Sequence, residues 1–223
     1  MTKLYMVSLG PGDYELITLK ALKALKDSDA ICIPTKSSDN SFKRSMTYKI
    51  VKQLMDEYGF EKDIVPMYTP MRFKQEDWQR QVDIIFDSFN TYDKLSFVTL
   101  GDSAVYSTVY YLLDIIKEQK NEVYEACEVI PGVTSFSHAS AKVKKPLCVG
   151  DSSFLIRPLH KSKVPFTTVY MRPKIGMETQ KVKEKGSVYT FENLNFQGEQ
   201  ILDFKKENVD KYMTLFIDFH EPK

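Results

Sequence analysis

Residues 96–108 read SFVTLGDSAVYST, and they decide the fold class. A β-forming apolar run stops at Gly101-Asp102, small and hydroxylated residues follow, and a new apolar segment opens after Thr108. Strand, short loop and helix in that order make the repeating unit of a parallel sheet. The loop can be a plain strand-to-helix turn. It can also be a ligand seat, because glycine lets a molecule approach the backbone closely.

The same rhythm extends to both sides. LYMVSL (4–9) is a short buried strand stopped by Gly10-Pro11-Gly12, and Thr18 can cap a helix that runs to Lys26. AICIP (30–34) reads as the next strand. Met46, Ile50, Leu54 and Tyr58, with Val51 and Met55 alongside, mark one apolar helix face. A strand over 64–68, a helix carrying Trp78, Val82, Ile85 and Phe89, a strand over 95–100 and a helix over 108–119 follow. The expected fold is α/β with a parallel sheet. In such sheets ligands sit beyond the carboxyl ends of the strands, where the loops 10–13, 101–108 and 131–135 lie.

The polar stretch 117–125 changes the character of the chain and places a domain boundary near 120, giving an N-terminal α/β domain (1–120) and a C-terminal α/β domain (121–223). Beyond it the pattern predicts strands at 127–130, 154–157, 167–171, 188–191 and 212–219, and a small-residue helix at 134–142. Fewer helices and more sequential strands suggest a mixed sheet there.

Composition narrows the function classes. Apolar residues make up 43% of the 223 and charged residues 27%, as in ordinary globular proteins. The net charge of +1 gives no global attraction for nucleic acid or anionic membranes. No apolar run approaches the ~20 residues of a membrane span. Cys32, Cys127 and Cys148 are odd in number and form no CxxC pair, so neither a disulfide framework nor a structural metal site is expected. These features suit a cytoplasmic protein.

The loops carry the chemistry. Gly10-Pro11-Gly12-Asp13 does not match G-x-G-x-x-G, and the lysine of a phosphate loop is missing, which argues against nucleotide phosphates. In 101–108, a helix start with hydroxyls and free N–H groups suits a carboxylate, and Asp102 suits an ammonium or a ribose hydroxyl. Those three groups together fit S-adenosylmethionine. Equally, Asp102 and Ser107 can simply cap the helix. Lys36, Lys43, Arg44, Arg72 and Lys74 follow strands on the same inferred edge. Singly each reads as solvated surface; together they could receive a polycarboxylate. None of His138, His160 and His220 is assigned to catalysis.

In order and interval, SLGPGDYELITLKALKALKDSD, SFVTLGDSAVYST and VIPGVTSF resemble the tetrapyrrole (corrin/porphyrin) methylase family, from Leu4 to about Asp151. The Leu-Gly-Asp…Tyr-Ser-Thr form points to its C-20 branch. The resemblance implies two α/β domains with the active site in the cleft between them, usually in a homodimer. It implies S-adenosylmethionine-dependent C-methylation, with S-adenosylhomocysteine as product, of precorrin-2 or cobalt-precorrin-2 in cobalamin biosynthesis. Another methylation site, or tetrapyrrole binding without catalysis, are the alternatives. It further implies cofactor contacts from Leu100, Gly101, Asp102, Val105, Tyr106, Ser107, Thr108, Ser135 and Met171. Gly10, Pro11, Gly12 and Asp13 would face the tetrapyrrole, with Lys36, Arg44 and Arg72 as its cations. No metal is implied and no catalytic residue is singled out. Ser8 stands where the family commonly has glycine.

Overall fold

A computed structural model describes residues 2–39, 41–43, 45–70, 72, 74–150, 152–156, 166–171, 173–182, 184–194 and 196–220. Five strands, β1 (Lys3–Ser8), β2 (Ala30–Thr35), β3 (Asp63–Tyr68), β4 (Lys94–Thr99) and β5 (Glu128–Ile130), form one sheet in the order β3-β2-β4-β1-β5. Every pairing in it is parallel. As the sequence pattern anticipates, helices fill the crossovers: α1 (Leu19–Asp27), α2 (Met46–Tyr58), α3 (Gln75–Ser88) and α4 (Val109–Gln119).

Alternation along the strands sorts the core into two layers. Leu4, Met6, Ala30, Cys32, Leu95 and Phe97 pack with Val82 and Ile85 of α3 and Val109, Leu112 and Ile116 of α4. Val7, Ile31, Ile33 and Val98 pack on the opposite face with Leu22 and Leu25 of α1 and Ile50, Val51 and Leu54 of α2. A strand covered on both faces needs apolar residues at nearly every position, which explains the unbroken runs in the sequence.

Some helix faces differ from the expected ones. On α2 the buried set is Thr47, Ile50, Val51, Leu54 and Met55, leaving Met46 and Tyr58 exposed at the two ends. On α3, Asp77 and Gln81 are buried beside Val82 and Ile85.

The chain divides by packing into Met1–Phe154 and Leu155–Lys223, later than the boundary expected near 120. The cause lies in β5. Glu128, Val129 and Ile130 stand opposite Tyr5, Met6 and Val7, so this segment completes the first sheet. The polar stretch before it forms a short helix, α5 (Asn121–Glu125), held by the buried Val123. Helix α6 (Ser135–Val143) follows, with Thr134 Oγ1 accepting from Ser137 N–H at its start.

The second unit contains β6 (Thr168–Tyr170), β7 (Ser187–Glu192), β8 (Gln200–Leu202) and β9 (Thr214–Phe219). They form a sheet in the order β6-β9-β7-β8, and its pairs are antiparallel rather than mixed. Val182, Val188, Val209 and Phe216 make its small core. Residues 154–156 form no strand, and Arg157 lies outside the described residues. Among the described residues no helix is long and apolar enough to cross a membrane.

Candidate functional site

Strand order locates the site. From β1 the chain crosses to β2 on one side; from β4 it crosses to β5 on the other. The loops after these two adjacent strands therefore leave in opposite directions, and such a switch point opens a crevice at the carboxyl edge of the sheet. The two loops are 9–13 and 100–108.

They are tied together by backbone. Gly10 N–H donates to Gly101 O at 3.1 Å, and Gly101 N–H returns a bond to Gly10 O at 2.7 Å. Both glycines have positive φ, +76° and +78°, where other residues are strained. The third loop closes on them. A β-carbon on Gly132 would lie 2.7 Å from Ser8 Cβ and 2.8 Å from Gly101 O, so only glycine fits. Ser8 is fully buried, and its Oγ accepts from Ser103 N–H at 2.9 Å. A serine here stitches β1 to the second loop, a role that the departure from the family glycine did not reveal in sequence.

Asp102 connects the loops further. Its Oδ1 accepts from Ala104 N–H at 3.3 Å and from Gly132 N–H at 3.4 Å. Among the described residues Oδ2 takes no hydrogen bond, and Asp102 does not cap α4. Ser107 does that work: its Oγ accepts from Val109 N–H at 3.2 Å and lies 3.2 Å from Thr99 Oγ1. The helix-start reading thus holds for Ser107 and not for Asp102.

The rim is open. Among the described residues beyond its chain neighbours, no heavy atom lies within 4 Å of a β-carbon built on Gly101; Leu100 is half exposed, and Tyr106 is 74% exposed. Tyr106 holds φ +52°, an uncommon conformation for a bulky residue. In the first turn of α4, Tyr110 is half exposed, and burial, with Asp102's charge second, pushes its phenol up. Tyr110 was not singled out by sequence; only the fold places the first turn of α4 beside this loop. An acid with a spare oxygen, a glycine turn with room above it and exposed aromatic rings fit a sulfonium nucleoside of an amino acid. Gly101, Asp102, Tyr106 and the backbone of 103–105 are the residues that would hold it.

The other candidate residues fall in several places. Pro11 and Gly12 lie in the first loop, and Asp13 Oδ1 caps the 3₁₀ turn 14–16 through Glu15 N–H. Ser135 is exposed at the start of α6, and Met171 follows β6 in the second unit, 70% exposed. Lys36 is exposed immediately after β2. Arg44 lies outside the described residues. Arg72 is not free: Nε donates to Asp77 Oδ2 at 2.6 Å and Nη2 to Oδ1 at 2.9 Å.

A parallel sheet with glycine turns gathered at its switch point defines an α/β ligand-binding enzyme domain. Comparison with known proteins makes this specific. The sequence model of the Tetrapyrrole (Corrin/Porphyrin) Methylases matches residues 3–187, and the chain belongs to that family of methyltransferases. It is 31% identical over 190 residues to the "Probable cobalt-precorrin-2 C(20)-methyltransferase" of Methanocaldococcus jannaschii, covering 83% of this chain and 76% of that one. It is 29% identical over 158 residues to the "Cobalt-precorrin-2 C(20)-methyltransferase" of Salmonella typhimurium, covering 69% of this chain and 62% of the relative. The crystal structure of a cobalt precorrin-4 methyltransferase shares the fold, with a TM-score of 0.52 at 16% identity over 96% of this chain and 93% of the other.

Proposed function

We propose that this chain is an S-adenosylmethionine-dependent C-methyltransferase that acts at C-20 of precorrin-2 or its cobalt form, in cobalamin synthesis. The observation that carries the reading is the convergence of Gly10, Gly101 and Gly132 around Ser8 and Asp102. The two relatives named as cobalt-precorrin-2 C(20)-methyltransferases support the substrate class.

When bound, S-adenosylmethionine supplies a methyl group already activated on its sulfonium, so the chain has to position and exclude water rather than generate a nucleophile. Asp102 would accept from the ribose or the ammonium group through Oδ2. The exposed rings of Tyr106 and Tyr110 would cover apolar surface of the bound molecules. Gly10 to Asp13 and the cations Lys36 and Arg72 would face the tetrapyrrole. The working form is proposed to be a homodimer.

The test combines binding and turnover. Calorimetry should show heat with S-adenosylhomocysteine, and incubation of precorrin-2 and of cobalt-precorrin-2 with S-adenosylmethionine should add one methyl by mass to at least one of them, placed at C-20 by carbon-13 labelling. Absence of heat and of thermal shift at millimolar S-adenosylhomocysteine would remove the cofactor reading. A methyl at another carbon would replace the substrate assignment.

A further inference from the structure

The loops that follow β2 and β3 leave the same edge of the sheet side by side. Thr35 stands opposite Tyr68, and Thr69 N–H donates to Thr35 O at 2.7 Å. Thr35 Oγ1 donates to Ser41 O at 2.6 Å and accepts from Ser37 N–H at 3.2 Å, folding the segment around Lys36 back onto the strand end. These loops lie on the β3 side of the switch point, away from β5.

Here an acid is buried beneath two arginines. The Asp77 side chain is 1% exposed, whereas those of Arg72 and Arg80 are 51% and 47% exposed. Arg72 grips both carboxylate oxygens, and Arg80 Nη1 lies 3.5 Å from Oδ1. One negative charge set against two positive ones leaves the group cationic. Hydrogen bonding from Arg72, foremost, holds the Asp77 carboxyl below the usual carboxylate range, so the pair stays ionised near neutrality. A fork on Nε and Nη2 fixes the guanidinium plane and leaves its other N–H groups for a second acceptor. A cation immobilised before its ligand arrives loses less freedom on binding.

We propose that Asp77 is a positioning residue: it holds Arg72, with Arg80 alongside, as a preformed receptor for a carboxylate of the tetrapyrrole. The inference rests on the tetrapyrrole reading above. It differs from general attraction in the sign of one substitution. If Asp77 acted only through charge, Asp77→Asn would make the surface more positive and tighten a polyanion. As a positioning residue it must weaken binding when neutralised, because the fork on Arg72 is lost.

The test uses the full chain and the polycarboxylate porphyrin uroporphyrin, followed by fluorescence quenching. Asp77→Asn and Arg72→Lys should each weaken uroporphyrin about tenfold, the equivalent of one charge-assisted hydrogen bond. The double variant should be no weaker than the worse single one. The precorrin-2 KM should rise while kcat and the S-adenosylhomocysteine affinity hold, a split that a loop staple would not produce. Unchanged or tighter uroporphyrin binding in folded Asp77→Asn overturns the proposal, as does a parallel fall in cofactor affinity. Should Asp77→Asn fail to fold, Arg72→Lys decides by the same readouts. A wild type that binds uroporphyrin, responds to the substitutions and yet methylates neither precorrin-2 nor cobalt-precorrin-2 would sink the enzymatic reading and support the receptor. Methylation with one KM in all variants would do the reverse.

Discussion

Gly132 and Ser8 stand so close that a β-carbon on the first would sit 2.7 Å from that of the second. The approach brings the third loop onto the first two, and it leaves no slack, since Gly101 O is 2.8 Å from the same point. Gly132→Ala must therefore displace backbone. Overpacking of this kind costs about 1–3 kcal/mol. The expected outcome is a lower melting temperature together with weakened S-adenosylhomocysteine binding, read by thermal shift and calorimetry. Adding Ser8→Gly should restore only part of the loss, because the contact with Gly101 O remains.

Asp102 offers the complementary case, in which binding falls and stability does not. Its bonds to Ala104 and Gly132 N–H are long, at 3.3 and 3.4 Å, and contribute little. Asp102→Ala should leave the melting temperature nearly unchanged. A hydrogen bond to an ionised group is worth roughly 1.5–3 kcal/mol, so S-adenosylhomocysteine should bind on the order of ten- to a hundredfold more weakly. Equal calorimetric affinities for wild type and variant would remove Asp102 from the cofactor site.

Much of this arrangement was legible in the sequence, for physical reasons that also mark where legibility ended. Buried parallel strands require unbroken apolar runs, and glycine turns punctuate them, so β1, β2, β4 and the three loops stood out. Asp77 did not, because counting apolar periods sends every acid outward. Its burial depends on a fork from Arg72, which only the folded chain supplies. Ser8 was visible only as a departure from glycine, since its partner Ser103 is 95 positions away. The boundary was set early because α5 buries little beyond Val123, and a polar surface helix looks like a linker. In the second unit short strands pair antiparallel, and β8 at 200–202 carries too few residues for a period to emerge.

The cysteines should separate by reactivity. Burial pushes the thiols of Cys32 and Cys127 up to about 12, which suppresses the reactive thiolate, whereas Cys148 is exposed. A disulfide reagent at mildly alkaline pH should therefore titrate one thiol quickly in the native protein and the other two only after unfolding. Cys148→Ser should abolish the fast phase. A fast phase that survives this substitution would mean that Cys127 opens to solvent more readily than its packing suggests.

Glu192 makes part of the second unit's stability depend on pH. Its side chain is fully buried, with Lys206 Nζ 2.9 Å from Oε1 and Lys211 Nζ 3.1 Å from Oε2. Burial alone would raise its pKa, but the hydrogen bond from Lys206 and the charges of the two lysines outweigh it and hold the carboxyl below the usual glutamate range. A depressed folded value means that the unfolded chain binds the proton more readily. The resulting stability is present above the unfolded value of about 4.3 and is lost as pH falls through the folded one. Glu192→Gln removes the charge at every pH. Near neutrality it should cost about 2–3 kcal/mol, less than the ~3–5 of a fully buried pair, because the lysines are partly exposed. Denaturant midpoints of the two proteins should therefore differ at pH 7 and converge as the pH is lowered below that of an ordinary glutamate. A constant gap down to the lowest pH at which the fold survives would show that Glu192 acts through packing instead of charge.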